Sequence, residues 1–218
     1  MRTKQARSPG QRAGLAADAI LAVARQLVEE DGVDALTMRA LASRLGVAPN
    51  SLYSHVPDKS ALLDAVLDDA LGGVDVGGLE ALGWRAGLIE LMRRFRRLLL
   101  DRADLLPLLI ARPTRGPNAL RLGETTLRLL EMAGVRGAAA AEALQVVFVF
   151  TLGYAADEAP RRADPDSAQR QARSRRAFAA GGQPRMAELA TEIASPTSNN
   201  TFETGLGWLL DGIAQATG

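Results

Sequence analysis

Between Leu36 and Lys59 the chain is punctuated so closely that few folds can hold it: Thr37, Gly46, Pro49 and Pro57-Asp58 fall within about two dozen residues. Threonine suits a helix N-cap because its oxygen can accept from a first-turn amide. Glycine past the last apolar residue ends a helix, and proline suits a first turn, where its missing N–H would have no partner. This spacing predicts a helix over Met38 to Leu45, a turn at Gly46-Val47-Ala48, and a short helix opening at Pro49. Leu41, Leu45, Val47 and Leu52 can then pack inward. Pro49, Asn50, Ser51, Ser54 and His55 remain for the outer face of a helix-turn-helix from about Thr37 to His55. A supporting helix precedes it, with Ile20, Leu21, Ala24, Leu27 and Val28 at helical spacing between Leu15 and Glu30. Another follows Asp58, with Leu62, Leu63, Val66 and Leu67 as its stripe.

The rest of the chain reads as helical too. Of its 218 residues 47% are hydrophobic but only 4% aromatic, and alanine, leucine and arginine dominate, so an all-α protein is expected. Without cysteine there is no disulfide and no thiolate metal site, and a reducing cytoplasm is the natural setting. His55 is the only histidine, so a two-histidine metal site is excluded and no cofactor is expected. Met1 to Gly14 carries Arg2, Lys4, Arg7 and Arg12 but no apolar signal core; this arm reads either as a backbone-tracking basic tail or as a solubilising one. The most apolar run, Leu144 to Leu152, is shorter than the roughly 20 residues a membrane span needs, so no membrane association is expected. A net charge of +1 is too near balance to identify a nucleic-acid partner by itself.

Five glycines between Leu71 and Gly83 mark a flexible joint and suggest domains of residues 1–71 and 72–218. They are not a phosphate cradle: no strand precedes them and no Gly-Lys-Ser/Thr follows. Trp84 to Arg102 has an apolar face through Leu88, Leu91, Met92, Phe95, Leu98 and Leu99. Arg93, Arg94 and Arg97 form a solvated face, with Arg96 at the border. Further helices are expected over Asn118 to Ala133, Ala138 to Glu158, Met186 to Ala194 and Phe202 to Ala214, and Asp157 to Arg185 reads as a mobile connection with a marginal helix inside.

Leu36-Thr37-Met38-Arg39-Ala40-Leu41-Ala42, Leu45-Gly46-Val47 and Leu52-Tyr53-Ser54-His55-Val56-Pro57-Asp58-Lys59 together resemble the tetracycline-repressor (TetR) family. The motif covers about the first quarter of the chain, while the later helices agree with the family in number and order. The resemblance implies an N-terminal DNA-binding domain followed by a helical effector-binding and dimerisation domain. It implies a ligand-responsive repressor bound as a homodimer to a pseudo-palindromic operator on double-stranded DNA. Thr37 and Arg39 would meet backbone and nearby bases, Asn50 and Ser51 would open the reading helix, and Tyr53, His55 and Lys59 would hold phosphates.

For an effector, the helices opening at Trp84, Asn118 and Ala138 offer Met92, Phe95, Phe148 and Tyr154 as apolar contacts. Arg96, Arg121, Thr125 and Thr151 could orient a polar group. Tetracycline-type repressors hold a magnesium-chelated drug through pocket histidines, and this chain has none there, so a small, mostly apolar organic molecule is expected instead. Ala138 to Tyr154 and Thr201 to Ala214 are the expected dimer helices. The alternative is a helical partner-binding or scaffold protein of the same fold that no longer reads an operator. No nucleophile–base pair or metal-ligand spacing points to an enzyme.

Overall fold

The computed structural model describes residues 17–195 and 198–215, so the basic arm at Arg2, Lys4, Arg7 and Arg12 lies outside the described residues. All regular elements among them are helical. The chain divides into two compact units, Met1–Asp69 and Ala70–Gly218.

The first unit contains α1 (Ala17–Asp31), α2 (Met38–Leu45), α3 (Pro49–Leu52) and most of α4 (Lys59–Leu71). The local chemistry expected of α2 is present. Thr37 Oγ1 accepts from the Ala40 amide at 3.0 Å, and Gly46 closes the helix at φ 67°, the left-handed region that glycine enters without a Cβ clash. Asp58 caps α4 in the same manner, accepting from the Ala61 amide at 2.8 Å. Ile20, Leu36, Leu41, Leu52 and Leu62 are each almost wholly buried. Leu45 and Val47, expected inside, are only half-buried.

The second unit comprises α5 (Trp84–Asp101), α6 (Leu106–Ala111), α7 (Pro117–Met132), α8 (Gly137–Ala163), α9 (Ser167–Ala180), α10 (Pro184–Glu188), α11 (Ala190–Ala194) and α12 (Asn199–Gln215). Leu88, Leu91, Met92 and Leu99 of α5 pack with Leu129 and Leu130 of α7, Val147 of α8 and Leu206 of α12.

Four expectations require correction. The glycine-rich stretch is no free joint: Val74 and Leu79 are buried, and the Arg94 and Arg121 guanidiniums donate to the carbonyls of Asp75 and Val74 at 3.0 and 3.2 Å. Arg93 and Arg94 are not merely solvated; both pair with Glu90, while Arg93 reaches Glu203 and Arg94 reaches Asp75. Asp157 to Arg185 is mostly helix, because α8 runs on to Ala163 and α9 spans Ser167–Ala180. The helix expected from Met186 is two short pieces, α10 and α11, hinged at Leu189. In addition, α8 is 27 residues long and is long and apolar enough to cross a membrane by length and composition. It nonetheless buries Ala140, Ala143, Val147, Thr151 and Ala155 along one face within the helical core.

Candidate nucleic-acid interface and ligand cavity

In the first unit, α2 and α3 bury Leu41 and Leu52 completely, and that anchoring turns their polar residues outward. Thr37, Arg39, Pro49, Asn50, Ser51, Tyr53, Ser54, His55 and Lys59 are all exposed, with half of the Tyr53 surface in contact with solvent. Only one helical turn, Pro49–Leu52, is regular. The Val56 amide still donates to the Leu52 carbonyl at 2.9 Å, so Tyr53, Ser54 and His55 continue as a compact turn.

Two hydroxyls are partly committed inside the motif: Thr37 caps α2, and Ser54 Oγ donates to the Ser51 carbonyl at 2.9 Å. The side chains of Arg39, Tyr53, His55 and Lys59 make no hydrogen bond or ion pair among the described residues. Arg44, by contrast, is held back on α1 by Glu30 at 2.6 Å and Asp31 at 3.3 Å, and the Glu30 hydrogen bond raises its pKa. Two cations on one helix thus have different fates. The surface can present positive charge, a phenol and short hydrogen-bonding groups to a phosphate backbone and to base edges in a major groove.

In the second unit, α5, α6, α7 and α8 surround a cavity of about 330 Å³. Phe95 and Phe148 form one wall, their rings edge to face at 5.1 Å, and Leu109, Leu122 and Leu152 add aliphatic surface. Arg112, Thr114 and Gln145 supply the polar part of the lining.

Of the eight residues expected to contact an effector, this cavity gathers Phe95 and Phe148. Met92 is fully buried in the core. Thr125 and Thr151 are buried, and their hydroxyls donate back to the carbonyls of Arg121 and Val147 at 2.9 and 2.7 Å, while Arg121 clamps the glycine-rich segment. Arg96 is buried in an ion pair with Glu158, donates to Asn199 at 2.7 Å and lies 4.8 Å from the Phe202 ring centroid. Tyr154 packs against Phe150 and Phe202, and burial raises its phenol pKa, with Arg96 opposing and Glu158 adding. Four of the eight therefore fall into two clusters, Phe95 and Phe148 at the cavity and Arg96 and Tyr154 in a polar knot joining α5, α8 and α12, while the other four fill the core or brace the glycine-rich segment.

Sequence reading missed Arg112, Thr114 and Gln145. Gln145 carried a usable signal, as the lone amide at the head of an apolar run. Arg112 and Thr114 carried none, since loop residues have no periodicity to place them.

The family of bacterial regulatory proteins described as the tetR family matches residues 20–66, and the tetracyclin repressor-like C-terminal domain matches residues 78–217. The tetracycline repressor protein class A from transposon 1721 of Escherichia coli is 33% identical over 208 residues, covering 90% of this chain and 89% of that protein. The HTH-type transcriptional repressor DrrR1 of Streptomyces coeruleorubidus is 30% identical over 216 residues, covering 94% and 80%. Among solved structures, ActR of Streptomyces coelicolor in complex with actinorhodin matches at a TM-score of 0.84 and 30% identity, covering 94% of this chain and 98% of that one.

Proposed function

The chain belongs to the tetracycline-repressor family of bacterial transcriptional regulators, and on that footing we propose that it is a ligand-responsive, homodimeric repressor that reads an inverted-repeat operator. The observation that carries the reading is that all nine motif residues are exposed on a scaffold anchored by Leu41 and Leu52. Arg39 and Lys59 act as the principal phosphate and base contacts, with Tyr53 and His55 on adjoining phosphates. The protein acts in the cytoplasm, where such an operator is found.

Dimerisation is supported by the apolar side chains that α8 and α12 leave in solvent. Val146 and Val149 are 43% and 66% exposed, and Trp208 is 74% exposed. Val146 and Trp208 line a groove together with Val135, Ala143 and Leu209. Exposed apolar surface of this kind favours burial in a self-complementary two-fold interface over contact with solvent, and two reading heads on one dimer require half-sites related by the same axis.

The effector occupies the cavity walled by Phe95 and Phe148. ActR is solved in complex with actinorhodin, and here the wall made by the two phenyl rings suits an apolar organic molecule. A magnesium-chelated ligand would find no histidine, aspartate or glutamate among the residues lining this cavity.

The test is selection of operator DNA from a random pool, followed by footprinting. A protected pseudo-palindrome is expected. Arg39→Ala should weaken it by about 1–3 kcal/mol, and Lys59→Ala should lower the salt slope by about one without changing sequence preference. Binding that is salt-steep but indifferent to sequence would count against operator reading.

A further inference from the structure

The end of α8, with α9 and α11, encloses a second cavity of about 710 Å³, roughly twice the volume of the one between Phe95 and Phe148. Its walls have a different chemistry. Helical geometry places Ser167, Gln171, Ser174 and Phe178 on one stripe of α9, and all four line the cavity and are half-buried. A helix face turned toward the rest of its fold is ordinarily apolar. This one carries two hydroxyls and a primary amide, and none of those side chains makes a hydrogen bond among the described residues. No residue of α9 is buried, so core packing does not account for the stripe. Half-buried polar groups that the protein itself leaves unsatisfied are available to water or to a ligand.

Charge points to the kind of ligand. Arg161, Arg162 and Arg170 line the same cavity and are steadied by Asp157, Glu158 and Asp164 respectively. A guanidinium has five donors and one carboxylate engages at most two, so Arg162 and Arg170 keep donors for a second anion. Three arginines of the lining stand against two carboxylates, Glu158 and Asp164, and Glu158 is shared with the buried Arg96. The cavity therefore lies in a positive field. Phe178 and Ile193 add an apolar surface wide enough for one ring.

We propose that this cavity is a second small-molecule site, separate from the one between Phe95 and Phe148, and that it takes a hydroxylated aromatic carboxylic acid. The carboxylate lies against the arginine wall, the ring rests on Phe178 and Ile193, and the ring hydroxyls meet Ser167, Gln171 and Ser174.

Isothermal titration of the full-length protein with 3,4-dihydroxybenzoate tests the site, with 3,4-dihydroxybenzamide as the uncharged comparison. Saturable binding of one molecule per protomer is expected, weakened at least tenfold for the amide. Ser174→Leu and, independently, Gln171→Leu should weaken it to a similar degree while leaving the melting temperature and operator affinity unchanged; Phe148→Leu, in the other cavity, should leave it intact. Absence of saturable binding, binding indifferent to both α9 substitutions, or binding lost in Phe148→Leu would each overturn the assignment. Because the readout is direct binding rather than release of DNA, failure here is separable from failure of operator reading.

Discussion

Glu90 illustrates how one side chain can tie distant segments together. Its burial opposes ionisation, but hydrogen bonds from Arg94 and Arg93 outweigh that cost and lower its pKa from the ordinary carboxylate value. The same two arginines reach Asp75 in the glycine-rich segment and Glu203 on α12. Because Glu90 titrates lower in the folded than in the unfolded chain, its stabilising contribution is complete above the unfolded value of about 4.3. It is lost as pH falls through the lower, folded value. The decline in melting temperature between about pH 5 and pH 3 should therefore be smaller in Glu90→Gln than in the parent. Equal declines in the two proteins would show that the pair has no net pH-linked role. Periodicity marked Arg93 and Arg94 as lying off the apolar stripe, which is correct. It could not identify their partners, since Asp75 and Glu203 are brought to α5 only by the tertiary fold.

At the scale of elements, α5 packs against its neighbours through a missing side chain. A Cβ built at Gly87 would stand 2.6 Å from the Leu79 carbonyl oxygen and 2.8 Å from Leu129 Cδ2. A leucine tip can rotate away, but a backbone carbonyl anchored in the glycine-rich segment cannot. Gly87→Ala should cost about 1–3 kcal/mol, despite the better helix propensity of alanine. This corresponds to a melting temperature several degrees lower by calorimetry, and adding Leu129→Ala should not restore it. The stretch from Leu71 to Gly83 was read as a joint because glycine clusters usually mark flexible chain. Local composition cannot register that Val74 and Leu79 are buried or that Arg121 donates to the carbonyls of Gly72 and Val74. The same limitation applies to α9, whose arginine-rich sequence lacks apolar periodicity because the helix lines a polar cavity and buries no residue.

For the whole molecule, the apolar side chains left outside the core carry the prediction. Trp208→Glu replaces a residue that is 74% exposed, so it should cost the isolated protomer little. In the proposed dimer it would bury a carboxylate in an apolar seam, and sedimentation should show monomers where the parent is dimeric. Leu120→Glu, a change at a 65% exposed position on α7, should leave the dimer intact. A Trp208→Glu protein that remained dimeric would move the interface elsewhere. By itself the sequence determined the helical class, the caps at Thr37 and Gly46, and which polar residues of the motif face solvent. Each of these is encoded within about twenty neighbouring positions, where hydrogen-bonding geometry and the 3.6-residue period act directly. Only the tertiary structure decided which inward residues line a cavity and which fill the core. Met92, Phe95 and Arg96 are adjacent on one helix, yet the first is packed solid, the second walls a cavity and the third is locked to Glu158. That division depends on what α8 and α12 place opposite each position, contacts made between residues 60 to more than 100 positions apart that no local pattern records.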